Sequence, residues 1–253
     1  MNIDRLLNFA SDVGKTILQS GGEIYRVEET ISIICKSFDI EEVNVFASPT
    51  VVIVSLYIDE NIHTVVKRIE NRGVDLNKVH RINSLSRKIS LEKPSLESVE
   101  KEFKEIMKDD NYPFYKTVLF SGIATSTFTI LFGGNLKEFL CSFLIGVITK
   151  LASNLLNKTS LNQFFINSLC GSVIAISSVI FLNCSFISEI DKVIAGSIML
   201  LVPGLSLTNA IRDTLEGQLV SGLTKAFEAL FIGVSTAVGT FSAIHIFKIL
   251  GGM

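Results

Sequence analysis

Charge is distributed very unevenly along this chain, and that limits its folds more than any motif. Residues 1–116 hold sixteen of the 23 Lys and Arg and nineteen of the 25 Asp and Glu. The remaining 137 positions carry seven basic and six acidic residues. A long stretch so poor in charge, in a chain that is 48% hydrophobic, cannot be the surface of a water-soluble globule. The expected architecture is a polytopic α-helical membrane protein. A small α+β cytoplasmic domain (1–113) comes first, followed by a five-helix transmembrane bundle (114–253).

The apolar half divides into five stretches near bilayer length: 116–132, 139–156, 164–182, 193–210 and 223–247. Short polar loops (133–138, 157–163, 183–192 and 211–222) join them. Tyr112 and Tyr115 precede the first span, where interfacial aromatics belong. With the N-terminal domain inside, Lys108, Lys116, Lys150, Lys158, Arg212 and Lys225 fall on the cytoplasmic side. Lys137, Lys192 and Lys248 fall outside, so the basic-residue rule favours a cytoplasmic N-terminus, an external C-terminus and the cell membrane. No cleavable signal peptide is expected, because Asp4 and Arg5 interrupt the first ten residues.

In the charged half, Ile3, Leu6, Leu7, Ala10, Val13, Ile17 and Leu18 recur at helical steps. Gly21–Gly22 breaks this helix, and a second is expected from Glu23 to Phe38, with Glu23 in its first turn. Residues 43–48 and 50–59 read as strands around Pro49, and 63–69 as a less regular third. Asn71–Gly73 is a turn signal. Helices are expected over 76–90 and from Pro94 to about Met107, with Ser95 as cap, and Asp109–Pro113 closes the domain. Nothing resembles a phosphate-binding loop, a nucleophile elbow or a metal set. Cys35, Cys141, Cys170 and Cys184 are scattered free thiols, and His63 reads as a surface neighbour of Asp59 or Glu60. No cofactor, metal or nucleic-acid partner is expected.

The fourth span is unusual. It runs Pro203-Gly204-Leu205-Ser206-Leu207-Thr208-Asn209-Ala210-Ile211-Arg212-Asp213 where a plain anchor would continue apolar. Proline cannot donate to the helical ladder and crowds the carbonyl four residues back. In hydrocarbon the released backbone groups survive only against protein or a wet cavity. Such discontinuous helices are where secondary transporters hold solutes. The plainer reading is a proline kink followed by an interfacial loop.

Two stretches resemble signatures of the threonine/serine exporter family: Gly21-Gly22-Glu23-Ile24-Tyr25-Arg26-Val27-Glu28-Glu29-Thr30, and Pro203–Asp213 continued by Gly217 and Ser221–Gly222. The likeness covers nearly the whole chain and is to the half-length, split form. It implies export of threonine, serine or a related small organic acid, and a second small multi-span subunit or self-association. On this reading Pro203, Gly204, Ser206, Thr208, Asn209 and Arg212 contact the solute carboxylate. Arg212 pairs with Asp213 or Glu216 when the site is empty. Asp213, Glu216 and Glu228 are candidates for carrying a proton, although Glu228 also stands three residues from Lys225 and could simply pair with it. Glu23, Arg26 and Glu28 form a structural or gating group, most simply an ion pair between Glu23 and Arg26. Two other classes compete: a non-transporting regulatory or scaffold subunit, and a membrane-anchored enzyme.

Overall fold

The computed structural model describes residues 2–70, 72–108 and 112–249. The chain is mostly helical, with one small sheet near the N-terminus. It divides into two compact units. The first joins Met1–Asp110 to Leu205–Phe227, and the second joins Asn111–Gly204 to Glu228–Met253. The piece Leu205–Phe227, expected within the apolar half, is therefore grouped with the charged half.

In the first unit α1 (Ile3–Gln19) and α2 (Ile24–Ser37) lie along an antiparallel sheet of order β1-β2-β3. The strands are β1 (Val43–Ser48), β2 (Val51–Ile58) and β3 (Asn61–Arg68). Period-two alternation sends Val52, Val54 and Leu56 of β2 inward, all fully buried. They join Leu6, Ala10, Val13, Ile17, Ile24, Val27 and Ile31 in one core. The opposite face carries Phe46, Tyr57, Ile62 and Val66, all exposed. The third strand starts two residues before the expected 63, because Asp59 and Glu60 take left-handed backbone angles and make a tight turn. Asp59 and Glu60 do not engage His63, whose Nδ1 lies 3.2 Å from Asp4 Oδ1.

The next helices are α3 (Leu76–Glu92) and α4 (Leu96–Met107). Ser95 caps α4 as expected, accepting the Ser98 N–H at 3.4 Å. Of the expected turn and closing segment, Asn71 and 109–111 lie outside the described residues.

The second unit holds α5 (Phe114–Leu131), α6 (Leu136–Leu156), α7 (Gln163–Asn183), α8 (Ile190–Ile198) and most of α10. The last two helices of the chain are α9 (Gly204–Leu215) and α10 (Leu219–Ile249). Among the described residues three helices, α6, α7 and α10, are long and apolar enough to cross a membrane. Two expected spans are not among them. Helix α5 includes Lys116 and six hydroxyl residues from Thr117 to Thr129. The stretch 193–210 is two pieces, since α8 stops at Ile198 and α9 starts only at Gly204. Between them Leu200 and Leu201 donate to carbonyls three residues back, tightening the chain into Pro203.

Small residues set the spacing of the second unit. A side chain on Gly239 of α10 would meet the backbone of Ser168, and one on Gly196 would meet Thr129. Ser172 Oγ donates to the Gly239 carbonyl at 2.9 Å, and Thr240 Oγ1 to the Gly171 carbonyl at 3.3 Å. Helices approach this closely in lipid only where Cβ atoms are absent or hydroxyls bridge. Glu138, placed in a loop by the sequence reading, belongs to α6. It closes a capping box with Asn135, taking that residue's N–H at 2.8 Å. Its other oxygen accepts the Ser188 hydroxyl at 3.2 Å and the Glu189 N–H at 3.1 Å. The pattern Asn-x-x-Glu before an apolar run was the available signal.

Candidate functional site

The two family-like stretches, nearly 190 positions apart, meet inside the first unit. Two glycine turns make this possible. At the end of α1, Gly21 (φ +83°) donates to the Leu18 carbonyl, and Gly22 donates to that of Ile17. At the end of α9, Gly217 (φ +83°) donates to Thr214, and Gln218 to Asp213. Both are left-handed stops that only glycine adopts without penalty. The second corrects the expected loop over 211–222. Its flanks are helical, leaving only residues 216–218 as a turn, so α9 and the start of α10 form a hairpin. Gly222 lets the two arms touch, since a side chain there would strike Thr214.

This hairpin grips the α1–α2 turn residue by residue. Asn209 donates its amide to the Gly21 carbonyl at 2.9 Å. Asp213, wholly buried, accepts the Ile24 N–H at 3.2 Å. The first N–H groups of a helix have no partner within it, so Asp213 completes the start of α2 from another element. Glu23 precedes α2 as its N-cap residue rather than in the first turn, and makes no side-chain cap. Its carboxylate instead accepts Arg26 Nε at 2.7 Å and Nη1 of Arg212. Glu28 accepts the Ala47 N–H with one oxygen and Gln218 Nε2 with the other, both at 3.1 Å. Lys225, from the second turn of α10, stands 2.7 Å from Asp213 Oδ2.

The expected ion pair Glu23–Arg26 is present, but the expected Arg212–Asp213 or Arg212–Glu216 pair is not. Arg212 reaches Glu23, while Asp213 faces the opposite way towards Ile24 and Lys225. Successive helical residues diverge by about 100°, so neighbours such as 212 and 213 cannot share one face. Lys225 pairs with Asp213 rather than with Glu228. Ser206 is half-buried and Glu216 exposed, and Thr208 turns its hydroxyl to the Leu205 carbonyl at 3.0 Å. Pro203, Gly204 and Glu228 are grouped with the second unit and take no part in the cluster.

The carboxylates of α2 are held in opposite states. Burial works against ionising Glu23, but hydrogen bonds from Arg26, its own backbone and Arg212 prevail and hold it below the usual carboxylate range. Hydrogen bonding to Glu23 raises Arg26 in turn. Burial pushes Glu28 up, and the negative Asp213 adds to the rise against the Ala47 N–H. A raised acid stabilises the fold below its ordinary range, and that contribution is lost as pH rises through its folded value. Glu23 acts oppositely, losing its contribution as pH falls through its lowered value. Glu28→Gln keeps an acceptor for Ala47 and cannot ionise. It is therefore expected to gain thermal stability relative to the wild type as pH climbs from 5 to 8. A difference in unfolding temperature that stays flat over that range would show Glu28 to be an ordinary acid.

Burial also raises the Cys35 thiol, to about 12, so it is an inert core residue. Among the described residues no group of His, Cys, Asp and Glu has the arrangement of a metal site. The cluster offers instead two fork-shaped guanidiniums, a buried ammonium and three carboxylates on movable helices. That inventory suits exchange of ion-pair partners rather than bond-making.

The family model described as "Putative threonine/serine exporter" (ThrE) matches residues 8–247. The chain is 24% identical over 236 residues to the "Probable succinate transporter subunit YjjP" of Klebsiella aerogenes, covering 93% of this chain and 91% of that protein. It is 23% identical to the Escherichia coli protein of the same name, covering 94% and 93%. It is 22% identical to the "Threonine/serine exporter" of Corynebacterium glutamicum, over 97% of this chain but 52% of that protein. No solved structure matches the chain. With a match over nearly its whole length to a family of transporters and not of enzymes, the chain belongs to the threonine/serine exporter family.

Proposed function

We propose that this chain is one subunit of a secondary membrane exporter for small carboxylate-bearing solutes: threonine, serine or a dicarboxylate such as succinate. The observation that carries the reading is the joining of both signature stretches through Asn209, Arg212 and Asp213. A hairpin that only anchored a domain would have no need of six ionisable side chains at its contact. The names of the relatives, succinate transporter subunit and threonine/serine exporter, supply the solute classes.

In this scheme residues 1–113 are cytoplasmic and 114–253 lie in the membrane, with the C-terminus outside. Helix α5 and the α8–α9 pair complete a five-span bundle with α6, α7 and α10, their hydroxyls turned towards neighbouring helices. The first turn of α9 carries N–H groups that no carbonyl of the same helix can accept, and these meet the solute carboxylate. Ser206, Thr208 and Asn209 add hydrogen bonds beside Pro203 and Gly204. Arg212 exchanges Glu23 for the solute. Glu23, Arg26 and Glu28 form the gate that this exchange opens, and Asp213, Glu216 or Glu228 carries the proton where transport is proton-coupled. An odd number of spans suits half of a symmetric carrier, completed by a second small multi-span subunit. The relatives agree in part: two are called subunits, and the chain spans about half of the C. glutamicum exporter.

The test is efflux of labelled succinate and L-threonine from preloaded cells producing the chain alone or with its second subunit. Efflux of one solute that needs both chains and falls when the proton gradient is collapsed is the expected result. No efflux of either under any combination would overturn the reading.

A further inference from the structure

One charge in the cluster is poorly served. Lys225 is nine-tenths buried, and among the described residues its ammonium makes no hydrogen bond. It approaches Asp213 Oδ2 at 2.7 Å, but Oδ2 is likewise without an aligned donor. The attraction is Coulombic only, and three N–H groups stand in a dry site with nothing to receive them. Buried ammoniums are normally paired and hydrogen-bonded, because each missing acceptor leaves desolvation uncompensated. The contrast with the Glu23 carboxylate, which has donors from two arginines, is within the same cluster.

We propose that Lys225 is the anchor for the carboxylate of the transported solute, and that Asp213 is a built-in competitor holding the place until solute arrives. This deepens the exporter reading and rests on it. A solute carboxylate brings two oxygens with four lone-pair sites, which match the unserved donors of Lys225 better than the misaligned Asp213 does. Asp213 retains a use when displaced, because its other oxygen still accepts the Ile24 N–H. The charges surrounding the exchange are Glu23, Arg26 and Glu28 from α2 and Arg212 from α9. Of these, Arg212 and Arg26 are already engaged by Glu23, and Glu28 by neutral amides. Lys225 is thus the one cation of the cluster not bound by an aligned carboxylate. A competitor of this kind makes the site selective: a hydroxyl or an amide cannot displace an ionised Asp213, whereas a carboxylate can.

The experiment is equilibrium binding of labelled succinate and L-threonine to the full-length chain, with its second subunit, in phosphatidylcholine nanodiscs. L-Threoninol, which lacks the carboxylate, serves as control. Wild type should bind at least one of the two acids and not threoninol. Lys225→Gln should weaken binding at least tenfold, and Lys225→Arg should keep it within a few-fold. Asp213→Asn removes the competitor and should tighten binding several-fold, which loss of a merely structural pair would not do. Because Lys225→Gln leaves Asp213 buried without a cation, the double variant Lys225→Gln/Asp213→Asn supplies a charge-balanced protein that should fold and still bind weakly. Wild-type affinity in the double variant, or weaker binding in Asp213→Asn, would overturn the proposal while the exporter reading stood. Loss of succinate and threonine binding when phosphatidylglycerol replaces phosphatidylcholine would assign the anion site to lipid and also overturn it. Absence of binding and efflux in the wild type would remove the exporter reading, and this proposal with it.

Discussion

Arg212→Ala should abolish solute efflux while leaving the chain inserted and folded. The reasoning is one of magnitudes. The Arg212 side chain is 54% exposed, and an ion pair with so wet a partner contributes roughly 0–1 kcal/mol to stability. Glu23 also keeps Arg26 at 2.7 Å after the change. Unfolding therefore cannot account for lost transport. If efflux disappears while thermal stability falls by only about 1 kcal/mol, the guanidinium acts on the solute or the gate. The exchanged pair Glu23→Arg/Arg212→Glu separates the two. It restores an ion pair between α2 and α9 and should not restore efflux, since a carboxylate at 212 repels the anion. Recovered efflux in the exchange would reduce Arg212 to a docking residue, and normal efflux in Arg212→Ala would remove it from the mechanism altogether.

Gly239→Ala should be among the most damaging single-methyl changes in the membrane half. The added carbon would fall on the backbone carbonyl of Ser168, which cannot rotate away as a side chain can. Overpacking costs about 1–3 kcal/mol when side chains can yield, and a backbone obstacle belongs at or above the upper end of that range. Forcing α7 and α10 apart would also break the hydroxyl bonds from Ser172 to Gly239 and from Thr240 to Gly171. Gly233→Ala is the matched control on the same helix, because a side chain there meets nothing within 4 Å. It should be neutral, or stabilise by about 0.5–1 kcal/mol through helix propensity. Thermal unfolding of both variants in detergent is the measurement. Equal midpoints would mean that α7 and α10 do not touch as described.

What could be read in the sequence was local. The three- and four-residue rhythm of Ile3 to Leu18 marks a helix because burial of one face needs that spacing. Gly21–Gly22 marks its end because only glycine enters the left-handed turn cheaply. The interruption at Pro203 was legible for the same reason, since proline acts on its own backbone. Cap signals were legible too, yet the one at Asn135–Glu138 passed unused, and Gly217 was taken for part of a loop although it is the same stop signal as Gly21. The partners of charged residues were not legible. Arg212 was paired with its sequence neighbours, whereas its contact is Glu23, 189 positions away. A carboxylate gives no local sign of which cation it will meet, and Lys225 reads as an ordinary interfacial lysine until Asp213 is placed beside it.

The late arrival of Asp213 bears on biogenesis. On the ribosome the N-terminal domain emerges first, and the start of α2 lacks its acceptor until nearly two hundred further residues have been made. The nascent domain must then wait with the Ile24 amide and the Gly21 carbonyl unclaimed while the first spans enter the translocon. Its final closure is a post-insertion event, so a chain whose last quarter is mistranslated or clipped would leave an open helix end for quality-control proteases to recognise.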